Sequence, residues 1–174
     1  MRTAALAVAL LACAACSQRE TAAEAAPPPK RERTIVTDYS LPAFGGTLVG
    51  TDMGEWIGGL SFEDNTDTLH PLLRENVHGI VETPAGIFVF TGLAHLGSNE
   101  GNVYRIDPKA DAPPRAVRVA QLSGSPTQVA RLHDGTMSFL VYAGWRDDRE
   151  LYECWGFDGR QLARSRECLP PRKH

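Results

Sequence analysis

The sequence has no long apolar run. None of its segments reaches the roughly 18 residues that a membrane-spanning helix needs. Charge of one sign is scarce as well: 18 Lys and Arg stand against 21 Asp and Glu in 174 residues, a formal net charge of −3. A duplex-DNA binder would show a clustered basic face, and none is present. The G-x-S-x-G elbow, the G-x-x-x-x-G-K-[ST] loop, H-E-x-x-H and S-x-x-K are all missing. Their absence disfavours serine hydrolases, nucleotide enzymes, zincins and penicillin-binding enzymes. No window longer than ten residues carries apolar positions at helical spacing between proper caps. What remains is a chain of 43% apolar and 22% charged residues, which excludes wholesale disorder. The length suits one domain, two at most.

The first sixteen residues, MRTAALAVALLACAAC, join a basic Arg2 to an uncharged apolar stretch, Ala4 to Ala15, that ends in small residues. Such a stretch reads as an export signal. It resembles bacterial lipoprotein signals, which end at the cysteine that receives the lipid. Cys13 has Leu three positions before it but leaves a signal of only twelve residues, whereas Cys16 follows the small pair Ala14-Ala15. Signal length and the polar Ser17-Gln18-Arg19-Glu20 favour Cys16 as the lipid site, with residues 1–15 removed. The resemblance implies anchoring in a cell envelope facing the periplasm, and Ser17 after Cys16 resembles outer-membrane sorting. Residues 16–33, which include Pro27-Pro28-Pro29, are Ala-, Pro- and charge-rich, and read as an extended tether. Loss of Arg2 with the signal leaves a mature charge of −4.

Residues 34–174 read as the globular part, and that part reads as all-β. Nine short segments rich in Val, Ile, Phe, Tyr and Thr are bounded by Gly, Pro, Asn or Asp: 47–51, 57–62, 79–82, 87–91, 102–106, 116–121, 128–132, 138–142 and 151–157. The 16 Gly and 12 Pro fit so many turns. Gly46, Gly86 and Gly135 each precede an apolar strand, at spacings of 40 and 49 residues. Tyr104 and Tyr152 follow the last two, in strands that end at Asp107 and Asp158. Periods of this size in an all-β chain resemble β-propeller repeats, here about three units. Three units are too few to close a ring, so pairing with a second copy, an open array and a compact sandwich all stand as alternatives. The run Ile87-Phe88-Val89-Phe90 is apolar at every position, as in a sheet packed on both faces. The charged turn Arg146 to Glu150 is placed to shield a sheet edge.

Cys154 and Cys168 sit in no C-x-x-C pair. In an exported chain they read as a disulfide that pins the C-terminal segment, not as a redox or zinc site.

Candidate chemistry is sparse. Folding the 83–86 turn pairs Glu82 with Ile87 and sets His78 opposite Thr91, with His95 four residues beyond. Two imidazoles at one end of a sheet, with Glu55 approaching, could hold a metal or share acid–base work. Their seventeen-residue spacing matches no compact motif, and each could equally satisfy a loop backbone group. His133 and His174 read as solvent-exposed. From Thr34 to Leu73 there are six acidic residues and no Lys or Arg, and Trp56 lies among them. Trp56 with Asp52, Glu55 and Asp64 forms a candidate docking patch for a basic partner. The run Glu63 to Asp67 lacks the Gly and terminal Glu of an EF-hand loop.

These readings favour a non-enzymatic envelope lipoprotein, needing no cofactor and no nucleic acid, whose β domain binds a protein or glycan. Inhibitors and immunity proteins are one such class. The alternative is a metal-assisted hydrolase or lyase using His78 and His95. A homodimer is a further expectation of the incomplete repeat.

Overall fold

The computed structural model describes residues 33–35 and 39–171. The signal segment, both Cys13 and Cys16, the tether up to residue 32 and His174 lie outside the described residues.

The chain is all-β. Its strands are β1 (Arg33–Ile35), β2 (Ser40–Ala43), β3 (Gly46–Thr51), β4 (Gly59–Glu63), β5 (Leu69–Leu73), β6 (Val77–Thr83), β7 (Gly86–His95), β8 (Ser98–Asp107), β9 (Arg115–Leu122), β10 (Pro126–Leu132), β11 (Met137–Arg146), β12 (Arg149–Phe157) and β13 (Leu162–Arg164). A single 3-10 turn, Gly54–Trp56, interrupts the β3–β4 connection. Three antiparallel sheets form in chain order: β2-β3-β4-β5, then β6-β7-β8-β9, then β10-β11-β12-β13 with β1 added beside β10. Gly46, Gly86 and Gly135 fall at equivalent places, each at the turn between the first and second strand of a sheet. Gly86 and Gly135 have φ of 128° and 81°, a region that glycine enters at little cost.

The middle sheet is buried on both faces, as the apolar run in β7 requires. Ile87 and Val89 point into one core with Leu48, Leu60 and Phe62 of the first sheet. Phe88 and Phe90 point into the other, with Met137, Phe139 and Phe157 of the third. The Phe88 and Phe157 rings meet edge to face at 5.3 Å, and Phe90 meets Phe139 at 4.8 Å. Aromatic pairs in this range add about 1 kcal/mol beyond area burial. The first two sheets approach closely at Gly50, where an added Cβ would lie 2.6 Å from Val77 Cγ1.

Glu82 pairs with Ile87 as the hairpin reading requires, but His78 does not face Thr91. The ladder shifts between Val77 and Gly79, so Val77 takes Thr91 as partner and His78 is the bulged residue. A bulge re-aims the side chain of its extra residue. A second correction concerns Ile57. It precedes β4 with φ of 57° and is not in the strand. The Arg146 to Glu150 run is a turn, the tip of the β11–β12 hairpin, with Asp147 and Asp148 at positive φ.

Cys154 on β12 is bonded to Cys168, with their Cα atoms 5.7 Å apart. The bridge ties the segment after β13 back onto the third sheet. Among the described residues, no helix is long and apolar enough to cross a membrane.

Candidate functional site

A cleft of about 440 Å³ opens at the end of the sheets where β3 leaves, β6 and β10 begin, and the β7–β8 and β11–β12 hairpins rise. Strands of the second and third sheets line it, and Tyr39, Asp52 and Gly54 join from segments that flank the first sheet. A second hollow, of about 460 Å³, lies at the opposite end and is built from the third sheet and its C-terminal extension.

Segment 52–58 forms one side of the cleft. Its fold is set locally by Asp52, whose Oδ1 accepts the Gly54 N–H at 2.9 Å, and by Gly54 at φ of 55°. The buried Asn76 side chain then fixes it to the middle sheet. Asn76 Oδ1 accepts from Met53 N at 3.1 Å and Gly58 N at 2.5 Å, while Nδ2 donates to the Gly54 carbonyl at 2.6 Å. Every polar atom of the buried amide group thereby has a partner.

The structure gives His78 and His95 different carboxylates. His78 Nδ1 lies 3.4 Å from Asp52 Oδ2, and His95 Nε2 lies 2.9 Å from Glu55 Oε2. Both pairs tie segment 52–58 to the middle sheet. The His95–Glu55 pair is largely exposed and contributes at most about 1 kcal/mol. Among the described residues, no group of three or more His, Cys, Asp and Glu converges to hold a metal ion.

Asp52, His78 and Ser125 stand in a line, because His78 Nε2 is 3.2 Å from Ser125 Oγ. The same Nε2 faces the Gly92 carbonyl at 3.0 Å. A carbonyl only accepts, so that nitrogen carries a proton and donates it. It is therefore not poised to take one from Ser125, as a nucleophile's base must. The serine instead fixes the cleft floor: its N–H donates to Asn99 Oδ1 at 2.9 Å, and its carbonyl accepts from Tyr142 N at 2.9 Å.

The other side of the cleft is aromatic and acidic. Tyr142 and Tyr152 are register partners on β11 and β12, with rings 5.8 Å apart, and Trp145 pairs in register with Glu150. Tyr152 donates its hydroxyl to Glu150 Oε2 at 2.7 Å. Burial, and then this carboxylate, push the Tyr152 phenol up to about 12. Tyr39 completes the lining.

Of the four docking-patch residues, Asp52, Glu55 and Trp56 share segment 52–58. Asp64 stands at the β4–β5 turn, at the other end of β4. Its carboxylate accepts from Thr66 N at 2.8 Å and Thr68 N at 3.1 Å, and meets His70 Nε2 at 2.7 Å. The His70 contact foremost, and then the Thr66 bonds, hold the Asp64 carboxyl well below the usual carboxylate range. The sequence reading missed His70, and it also missed the aromatic side of the cleft. A hairpin turned at Asp147-Asp148 would have set Tyr142 near Tyr152 and Trp145 opposite Glu150.

A smaller hollow of about 130 Å³ shares Asn76 and Gly92 with the cleft. Beside it Glu75 accepts from Thr91 Oγ1 and Tyr104 Oη, both at 2.5 Å, and from Asn102 Nδ2 at 3.1 Å. Burial, followed by Glu75, pushes the Tyr104 phenol up to about 12.

Compared with known proteins, the chain matches no family model, no curated protein and no solved structure.

Proposed function

We propose that this is a non-enzymatic envelope lipoprotein, anchored through Cys16 on the periplasmic side of the outer membrane by its Ser17 signal, whose β domain binds a protein or glycan through the cleft end. The observation that carries this reading is the side-chain inventory of that end. Trp145, 66% exposed, lines the cleft, while Trp56 (77%) and Leu96 (96%) stand on segment 52–58 and the β7–β8 turn, whose neighbouring residues line it. Large apolar side chains gathered at one end of a domain mark a recognition surface more often than a solvated one.

The fold reading that goes with this function is a propeller-like array of three four-stranded units. Support comes from the equivalent positions of Gly46, Gly86 and Gly135 and from a middle sheet packed on both faces. Such an array is either open or completed by a second copy, which its molar mass in solution distinguishes. The metal-assisted alternative through His78 and His95 gains no specific support, since each ring faces its own carboxylate.

The test is a partner-capture comparison from envelope extract. Trp56→Ala combined with Asp52→Lys and Glu55→Lys is expected to abolish capture, and Asp64→Lys at the far end to leave it intact. Unchanged capture by the triple variant would contradict the reading.

A further inference from the structure

We propose that the cleft takes an arginine side chain presented by a basic partner protein. This rests on the cleft being the binding site, and it names the chemical group that the cleft selects. The walls are the aromatic rings of Tyr39, Tyr142, Trp145 and Tyr152, and the carboxylates at the cleft are Asp52 and Glu150. No Lys or Arg lines the cleft, and among the described residues neither carboxylate is paired with one. A cation between aromatic faces and carboxylates is attracted by the ring quadrupoles and by the charges.

The chain already contains this recognition in filled form. Arg164 of β13 lies over the Trp155 ring of β12 with Cζ 4.3 Å from the centroid, and its Nη2 donates to Glu153 Oε1 at 2.7 Å. Trp155 Nε1 in turn donates to Glu153 Oε2 at 3.3 Å. Tryptophan, carboxylate and guanidinium thus form one closed set. The β11–β12 hairpin again brings a tryptophan and a carboxylate together, with Trp145 and Glu150 as register partners, and Arg146 and Arg149 form the next register pair toward the turn. A planar guanidinium stacks on an aromatic face while forking hydrogen bonds to a carboxylate, which an ammonium cannot do. Arginine, not lysine, is therefore the occupant.

The test uses the full-length chain in detergent, with tri-arginine, tri-lysine and a neutral trisaccharide as probes and tryptophan fluorescence as readout. Tri-arginine is expected to saturate, and to bind roughly tenfold or more tighter than tri-lysine. Asp52→Asn and Glu150→Gln are each expected to weaken it by roughly tenfold. Trp145→Phe should remove most of the fluorescence change, and Glu63→Gln on the far side should leave binding unchanged. Equal binding of tri-arginine and tri-lysine, or full affinity in the Asp52→Asn/Glu150→Gln double variant, would overturn the arginine assignment. Trisaccharide binding that is lost in Trp145→Ala would overturn it too, while leaving the cleft as the binding site. No response to any probe, with partner capture unaffected by Trp145→Ala, would overturn both readings.

Discussion

Asn76 and Gly58, eighteen residues apart, are joined by a 2.5 Å hydrogen bond from the Gly58 N–H to Asn76 Oδ1. The bond fixes the return of the chain from segment 52–58 into β4. Because Asn76 also holds Met53 and Gly54, one buried side chain sets the wall that carries Asp52, Glu55 and Trp56. Asn76→Ala leaves the Met53 and Gly58 N–H groups without a protein partner, while the Gly54 carbonyl keeps only the Ile57 N–H. The expected loss is about 3 kcal/mol of stability, read from urea unfolding, since unsatisfied buried groups cost about 1–3 kcal/mol each. Amide exchange across residues 53–58 should quicken more than in β7. Equal stability with unchanged exchange would show that the amide does not hold the wall.

The Cys154–Cys168 bridge closes a loop with a sequence separation of 14. In the chain-entropy model a loop of this size is worth about 3 kcal/mol. Replacing both cysteines with serine should lower stability by about that amount. Partner capture should persist, because the bridge lies on β12 away from the cleft lining.

Acid should weaken the fold through specific carboxylates. Asp64 is held low by His70 and Thr66, Asp107 by Arg105, and Glu153 by Arg164. A carboxylate with a depressed folded pKa contributes stability that is present above its unfolded value, near pH 4, and is lost as pH falls through the folded value. Stability should therefore fall below about pH 4. Asp64→Asn should make that fall shallower. An acid limb of unchanged slope in this variant would remove Asp64 from the set.

Tyrosine titration should split. Tyr104 and Tyr152 are each pushed up to about 12, by burial first and then by Glu75 or Glu150. A phenol whose folded pKa lies above its unfolded value, near 10, contributes stability that is complete below pH 10 and lost as pH rises toward 12. Phenolate absorbance in the wild type should therefore develop late for two of the four tyrosines. In Tyr104→Phe and Tyr152→Phe one late component should vanish from each.

Of the nine strands that the sequence displayed, seven have a paired neighbour on each side, and β6 and β9 are sheet edges. β3, β7, β8, β11 and β12 carry Val, Ile, Phe and Tyr because burial demands them. The unseen strands β1, β2, β5 and β13 are all sheet edges. Pro42 in β2 and Pro71 in β5 suppress the strand pattern there, and an edge tolerates proline because one side of its ladder needs no donor. The disulfide was legible from the expectation of export and the cysteine count. The cleft was only half legible. Asp52, Glu55 and Trp56 are local in sequence, whereas Tyr142, Trp145, Glu150 and Tyr152 reach the same place only through a long hairpin and a bulge at Ala143. His78 was named for its place near a strand end, but its bulge cannot be read from alternation alone.

The most direct test of the cleft end as the binding face is site-specific photo-cross-linking. A photoreactive side chain is placed in turn at positions 56 and 145, beside the cleft, and at 66 and 134, on turns at the opposite end. The same partner should be trapped from positions 56 and 145 and not from 66 or 134. Adducts from 66 or 134 alone, or with equal yield from all four, would contradict the assignment of the cleft end as the binding face.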